Sequence, residues 1–234
     1  MSKIFESGKD TLLPDLADQR AMSRRKFLGY GGAAAVIVTG IVACDKNDDM
    51  GPDSGVDLGS GDNGILNYAY ALEQLEAAFY IQVLTTPYSG GSATEMALLT
   101  DIRDHEIAHR EFFKNALGSN AIQGLTVDFS SINFSSRDSV LATAKAFEDL
   151  GVSAYNGAGK LITTPAYLTL AGKIVSVEAR HAAWIRDIIT NGTFADATVI
   201  DANGLDKSRM PAEVLPIANT YLTTKVSGKN LPTS

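Results

Sequence analysis

The chain has 234 residues, of which 45% are hydrophobic and 20% charged, so it can bury one substantial core and is predicted to form one principal domain. Its 27 acidic against 20 basic side chains provide no basic surface for a phosphate backbone, which argues against nucleic acid as a partner. The single cysteine, Cys44, excludes an internal disulfide and a thiolate metal cluster, so any metal site must use oxygen and imidazole ligands.

Residues 1–44 have the layout of an export signal. Arg24 and Arg25 precede an apolar run, rich in glycine and alanine, that ends at Ala43 and resembles a twin-arginine signal. This run is shorter than the ~20 residues of a membrane-spanning helix. Its end resembles a lipobox, in which Cys44 becomes the acylated N-terminus. We expect the twin-arginine machinery to export the chain and Cys44 to anchor it to a membrane; the alternative is a basic patch before an ordinary helix.

Residues 45–61 are predicted to form a flexible tether. They begin with an acidic segment, residues 45–49, and continue as a Gly/Asp/Ser stretch without apolar periodicity. The acidic segment resembles the surface-export tags of some bacterial lipoproteins, although a solvated linker accounts for it equally well. The expected location is the cell envelope, either periplasmic or surface-exposed.

Two helices are predicted at the start of the folded part. Apolar residues recur at helical spacing from Asp62 to about Leu84. After a short loop, Ser92 and Glu95 have the spacing of a capping box, and the apolar face that follows continues to Gly118, a predicted C-terminal cap.

The second half of the predicted domain repeats this plan. Residues 119–135 lack helical periodicity and are predicted to cross over to a third helix, residues 136–161. Pro165 opens a fourth helix that runs to about Gly192. The fold class is therefore all-α, a four-helix bundle over residues 62–190 with a long crossover between helices 2 and 3. An irregular tail, residues 191–234, is expected to pack on the bundle, with a short helix around residues 211–222.

Chemical groups repeat between the two halves at nearly equal separations. Glu73 is followed seven residues later by Tyr80, as Glu148 is by Tyr155. A Glu-x-x-His motif followed three residues later by an aromatic residue also occurs twice, as Glu106, His109, Phe112 and as Glu178, His181, Trp184. The chain therefore has the pattern of a duplicated helix pair.

This repeat predicts a metal site. Glutamate and histidine three positions apart project from one helix face, so two such helices beside two that each offer a glutamate supply four carboxylates and two imidazoles. That is the ligand set of di-iron and di-manganese carboxylate bundles. Buried carboxylates repel one another without cations or protons. Two iron or manganese ions are therefore predicted at Glu73, Glu106, His109, Glu148, Glu178 and His181. The alternative is that these side chains line a solvated groove.

Other residues are candidates to surround these ligands. Glu76 shares the inward face with Glu73, but Glu73 is preferred because Glu76 corresponds in the repeat to Gly151. Glu76 is then a partner of the ligands or a salt-bridge residue. His105 lies about 100° around the helix from the next residue and is expected to form a hydrogen bond at the surface or to a ligand. The aromatic candidates are core residues or electron carriers: Tyr80, Tyr155 and Trp184.

Four segments carry a family resemblance: residues 66–80, 104–109, 147–155 and 177–184. They are similar to the exported ferritin-like domain family that includes desiccation-related proteins, and the ligand order also resembles bacterioferritin and rubrerythrin. The resemblance covers roughly residues 62–190. It implies that Glu106 and Glu178 bridge the two ions, that Glu73 and Glu148 are terminal ligands, and that His109 and His181 each bind one ion.

Two classes of function follow from this sequence. The first is an envelope di-iron or di-manganese protein with a redox role under oxidative stress, which consumes peroxide or oxygen or oxidises ferrous iron, and would then be an oxidoreductase. The second is a non-catalytic stress- or desiccation-related scaffold with structural or no metal. Iron storage in a closed shell is a weaker third hypothesis, because a lipid anchor and the tail fit a shell poorly. A small homo- or hetero-oligomer is compatible with either class.

Overall fold

A computed structural model describes residues 55–234. The predicted signal with Arg24, Arg25 and Cys44, and the predicted tether as far as residue 54, lie outside the described residues. Four long helices form the bundle: α1 (Gly61–Thr85), α2 (Ala93–Leu117), α3 (Arg137–Gly159) and α4 (Pro165–Ile189). α1 packs chiefly against α2, and α3 against α4, so the predicted duplication of a helix pair appears in the packing. The all-α bundle and its crossover between α2 and α3 are confirmed.

α2 begins where the predicted capping box places it, but Glu95 of that capping box has a different hydrogen-bond partner. The Ser92 side chain accepts a hydrogen bond from the backbone N–H of Glu95, as a capping residue does. The Glu95 carboxylate does not complete a capping box. It instead accepts hydrogen bonds from Arg137, 2.7 Å away, and from Tyr88. Glu95 thereby connects the start of α2 to the start of α3.

The start of α4 depends on a residue from another helix. Thr164 occupies the N-cap position before Pro165, yet its side chain forms no capping hydrogen bond. Asp62, in the first turn of α1, accepts hydrogen bonds from the backbone N–H groups of Thr163 and Thr164, at 2.8 and 2.9 Å. These hydrogen bonds from Thr163 and Thr164 lower the pKa of Asp62. The two halves of the bundle are therefore joined at this end.

The crossover is irregular but well packed. Its apolar side chains lie against the hydrophobic core, including those of Phe129 and Phe134, whose rings surround the fully buried Phe79. Buried Asn67 donates to the carbonyl oxygens of Leu58 and Asn120 and accepts from the N–H of Ile122. Because a buried amide needs such partners, Asn67 fixes the crossover against α1.

The prediction that residues 45–61 form a flexible tether is wrong for the last of these residues. Val56–Asp57 (β1) pairs in parallel with Val226–Ser227 (β2), and Leu58 is fully buried. A two-residue strand has no periodicity that a sequence pattern can show, and its partner lies near the other end of the chain. The ordered domain therefore begins before α1.

The C-terminal tail packs on the bundle. It contains α5 (Pro211–Ala218), followed by a 3₁₀ turn, Asn219–Tyr221. The backbone N–H of Arg209 donates to the carbonyl oxygen of Ser153 on α3. Gly157 allows this approach, because a Cβ at that position would lie 1.8 Å from the carbonyl oxygen of Arg209. Within residues 55–234, no helix combines the length and the apolar character needed to cross a membrane.

Candidate metal centre

All four long helices contribute to one buried cluster, and the six predicted ligands meet there. α1 supplies Glu73, α3 supplies Glu148, and each of the other two helices supplies a Glu-x-x-His pair. The four glutamates are fully buried. The two imidazoles are almost as well covered, with 13% of the His109 side chain and 5% of the His181 side chain exposed.

The cluster consists of two overlapping groups of ligand atoms. The first group is Glu73, Glu106, His109 and Glu178, and the second is Glu106, Glu148, Glu178 and His181. Within each group the ligand atoms lie within 4.8 Å of one another. Glu106 and Glu178 belong to both groups, whereas the other four residues belong to one each. This sharing corresponds to the bridging and terminal roles that the family resemblance implies.

Each imidazole faces the glutamate of the opposite Glu-x-x-His motif most closely. His109 Nδ1 lies 2.8 Å from Glu178 Oε1, 3.5 Å from Glu73 Oε2 and 3.8 Å from Glu106 Oε2. His181 repeats this pattern, with Nδ1 2.9 Å from Glu106 Oε1 and 3.4 Å from Glu178 Oε2. The duplication in the sequence therefore becomes an approximate two-fold arrangement of side chains.

Two tyrosines hold the terminal glutamates in a crossed arrangement. Tyr80 on α1 donates to Oε1 of Glu148 on α3, at 2.5 Å, and Tyr155 on α3 donates to Oε1 of Glu73 on α1. Burial and the adjacent carboxylates raise the pKa of both phenols well above the usual range, so both remain protonated donors. Each hydrogen bond leaves Oε2 of its glutamate facing the cluster.

Most of the predicted ligand atoms form no hydrogen bond of normal geometry, although Nδ1 of His109 and of His181 lie 2.8 and 2.9 Å from a carboxylate oxygen. These buried atoms are Glu73 Oε2, Glu148 Oε2, both carboxylate oxygens of Glu106 and Glu178, and Nδ1 of His109 and His181. Buried polar atoms in proteins nearly always form satisfactory hydrogen bonds, so such a concentration of buried carboxylate oxygens and imidazole nitrogens without them fits a site for cations. Oxygen and imidazole ligands without sulfur suit iron or manganese. The residues present therefore fit a two-metal carboxylate centre.

The pKa shifts in the cluster also fit a site for cations. Burial and the charge of Glu178 raise the pKa of Glu106 well above its ordinary value. For His109, burial opposes the charged form, but Glu106, Glu178 and Glu73 outweigh it and raise the pKa to about 12. Burial likewise opposes charge on His181, and the surrounding carboxylates raise its pKa. Protons thus balance the carboxylates while no cation is bound, and cations would displace them.

Glu76 is a fifth buried carboxyl that lies outside both groups. In the described part of the chain it forms no ion pair, so the salt-bridge hypothesis is wrong. Burial and the charge of Glu106 raise its pKa well above the ordinary value. A Cβ at position 151 would lie 3.0 Å from Glu76 Oε1, so Gly151 leaves room for this carboxyl. The structure thus places Glu73, not Glu76, in the cluster.

His105 and Trp184 have different positions relative to the cluster. His105 is exposed on α2, and its Nδ1 lies 2.9 Å from Nε2 of His181 on α4. Burial and the neighbouring His181 lower the pKa of His105, which favours a neutral ring. Trp184 is half-buried against the hydrophobic core and, among residues 55–234, forms no hydrogen bond to the six predicted ligands.

A second buried polar cluster was not predicted from the sequence. Arg186 on α4 is 2% exposed, and its guanidinium donates to Asp149 and Asp196, both at 2.7 Å. It also donates to the carbonyl oxygen of Thr193, at 2.9 Å. A charged residue among the apolar residues of a helix is the only sequence signal for it. Arg186 fixes the start of the tail against α3 and α4.

Comparison with known proteins identifies the family of this domain. The profile of the ferritin-like domain matches residues 61–191, which span the four long helices and all six predicted ligands. No curated protein matches the sequence. Because the profile covers more than half of the chain, the protein belongs to the ferritin-like domain family.

Proposed function

We propose that this protein is an envelope ferritin-like protein that holds two iron or manganese ions and has a redox role under oxidative stress. The reactions that fit are consumption of peroxide or oxygen and oxidation of ferrous iron. The observation that carries the proposal is the set of buried, unpaired oxygen and nitrogen atoms contributed by all four helices.

In this proposal the six residues divide into two ion positions. Glu106 and Glu178, which belong to both groups of ligand atoms, would serve both ions; Glu73 and His109 would complete one position, and Glu148 and His181 the other. A metal pair of this kind supplies a Lewis-acidic, redox-active site for a small oxygen species. The tyrosines orient the terminal carboxylates, and burial of the glutamates keeps bulk water away from them.

Export and lipid anchoring belong to the same proposal and are supported by the sequence alone. Arg24 and Arg25 would direct export through the twin-arginine route, and Cys44 would carry the lipid. Because that route transports folded proteins, the metal pair would be inserted before export. Residues 45–54 would then separate the lipid from β1.

The first test is the metal content of the full-length protein, purified in detergent after native export. We expect about two iron or manganese ions per chain, as in di-iron carboxylate bundles. Glu106→Gln should lose them, because this change removes a carboxylate shared by both positions. Glu76→Gln is the matched control, since it changes a buried carboxyl outside the two groups, and it should keep the ions.

Absence of stoichiometric metal, even after anaerobic reconstitution with ferrous iron, would contradict the proposal. The alternative would then be a non-catalytic stress- or desiccation-related scaffold. A metal-loaded protein that does not consume peroxide or oxygen, or oxidise ferrous iron, faster than free metal would leave the ions with a structural role.

A further inference from the structure

The two imidazoles of the candidate centre differ in the hydrogen-bond partner of Nε2, the ring nitrogen on the side away from the carboxylates. His105 Nδ1 lies 2.9 Å from His181 Nε2, the nitrogen that points away from the carboxylates. The two rings are nearly parallel, at 8°, with centroids 5.2 Å apart. Stacked ring faces cannot approach closer than about 3.5 Å. The rings therefore meet edge to edge, which is the geometry of a hydrogen bond in the ring plane.

This contact determines how the proton is placed on His181. Nδ1 of His181 lies within the cluster, 2.9 Å from Glu106 Oε1, and a nitrogen that binds a metal must offer its lone pair. With an ion at Nδ1, the ring proton of His181 would be on Nε2, which would donate it to Nδ1 of His105. A hydrogen bond of this kind behind a metal-binding imidazole fixes its tautomer and orientation and increases its basicity as a ligand.

His109, the imidazole in the other half of the candidate centre, lacks a side-chain hydrogen bond of this kind. Glu106 and Glu178 correspond in the repeat, so the counterpart of His105 is Val177, whose side chain cannot accept a hydrogen bond. Nδ1 of His109 faces the carboxylates, and within residues 55–234 no side chain forms a hydrogen bond to its other ring nitrogen, Nε2, as His105 does to His181. Its side chain is also more exposed than that of His181, at 13% against 5%.

From this difference we infer that the two ion positions are inequivalent and that His105 is the positioning residue responsible. The position at Glu148 and His181 binds its ion more tightly and is filled first. The position at Glu73 and His109 is filled second and exchanges its ion with solution. The inference rests on the proposed function, because it requires that the cluster binds two ions.

The test is an anaerobic calorimetric titration of the full-length protein with ferrous iron at one fixed pH. The wild-type protein should bind in two resolved steps. His105→Leu should weaken the tighter step about 10- to 100-fold, the usual effect of losing a hydrogen-bond partner of a metal ligand, and should bring the two steps together. His105 is exposed, so this change should not affect folding.

Two further variants separate positioning from a general structural effect. His105→Asn keeps an acceptor close to the place of Nδ1 and should retain two steps. Val177→His adds the missing imidazole in the other half and should tighten the weaker step. A merely structural role of His105 would not distinguish the Asn variant from the Leu variant.

Each result has a definite meaning. Two identical steps in the wild-type protein, an unchanged tighter step in His105→Leu, or equal losses in the Leu and Asn variants would overturn the inference and leave the proposed function intact. No binding of ferrous iron by the wild-type protein would overturn both.

Discussion

At the scale of single residues, α1 and α3 exchange hydrogen bonds within the candidate metal centre. Each of these helices offers a terminal glutamate to the cluster and a tyrosine to the glutamate of the other helix. Buried tyrosines commonly serve as packing residues whose hydroxyl finds any nearby acceptor. Here the acceptor is one oxygen of a predicted ligand, so the same side chains pack the core and orient the site.

Tyr155→Phe tests this orientation. The substitution removes the hydrogen bond to Glu73, which then loses one fixed oxygen, so the ion position at Glu73 and His109 should weaken about 10- to 100-fold. Tyr80→Phe is the matched variant and should weaken the position at Glu148 instead. Calorimetric titration with ferrous iron measures both. Equal affinity of both variants and the wild-type protein would show that the phenols only pack.

The protonated cluster predicts the direction of a pH effect. His109, with its pKa raised to about 12, and His181, with its pKa also raised, hold protons across the neutral range while no cation is bound. Cations must displace these protons, so metal affinity should rise with pH, about tenfold per unit for each proton released. Titrations at three pH values between 6 and 8, in buffers of different ionisation heat, measure both quantities. Affinity that does not change with pH would contradict this proton balance.

At the scale of the helices, two glycines of α3 decide what can approach it. Gly151 faces the buried Glu76 carboxyl, and Gly157 faces the backbone of Arg209 in the tail. Glycine in a helix interior costs up to about 1 kcal/mol relative to alanine, so each needs a reason in tertiary packing. The buried carboxyl and the docked tail supply those reasons.

Gly157→Ala should therefore destabilise the protein although alanine favours a helix. The added Cβ would lie 1.8 Å from the Arg209 carbonyl oxygen, so the tail segment must move and lose its hydrogen bond to Ser153. We expect a loss of about 1–3 kcal/mol in the free energy of unfolding, typical of overpacking. Gly172→Ala in α4 is the control, since nothing lies within 4 Å of its added Cβ. Chemical denaturation should show opposite signs for the two variants, and equal signs would contradict the prediction.

At the scale of the whole molecule, the two ends of the described chain meet. β1 and β2 pair next to the bundle, and Leu231 of the tail is buried in the same core as Leu58. The tail therefore completes the domain, and the predicted tether is limited to residues 45–54.

Cys44→Ser tests the proposed anchor without changing the folded domain. We expect the variant to lose incorporation of a labelled fatty acid, because serine cannot form the thioether of a lipoprotein, while its helical circular dichroism stays unchanged. Arg24→Lys combined with Arg25→Lys is the companion change and should keep the unprocessed chain in the cytoplasm. Continued lipid labelling of Cys44→Ser would contradict the lipobox interpretation.

The sequence by itself determined the bundle and the residues of the buried carboxylate and histidine cluster. Helical periodicity placed all four long helices to within a few residues, because each has a continuous apolar face and polar or proline-containing ends. Glu-x-x-His on two helices, repeated in phase with single glutamates on the others, identified six residues that the fold brings together. Each motif is local to one helix, but the site was identified only because the motifs repeat across all four helices.

Only the tertiary structure decided the contacts between residues far apart in the chain. The β1–β2 pair, the Asp62 cap on α4, and the His105 to His181 hydrogen bond each join segments separated by many residues. A sequence pattern records which side chains share a face of one helix, whereas these contacts depend on how the helices are placed against one another. The physical reason is that periodicity fixes the direction of the side chains along one helix or strand. The distance between side chains on different helices or strands is fixed by how those elements pack against one another.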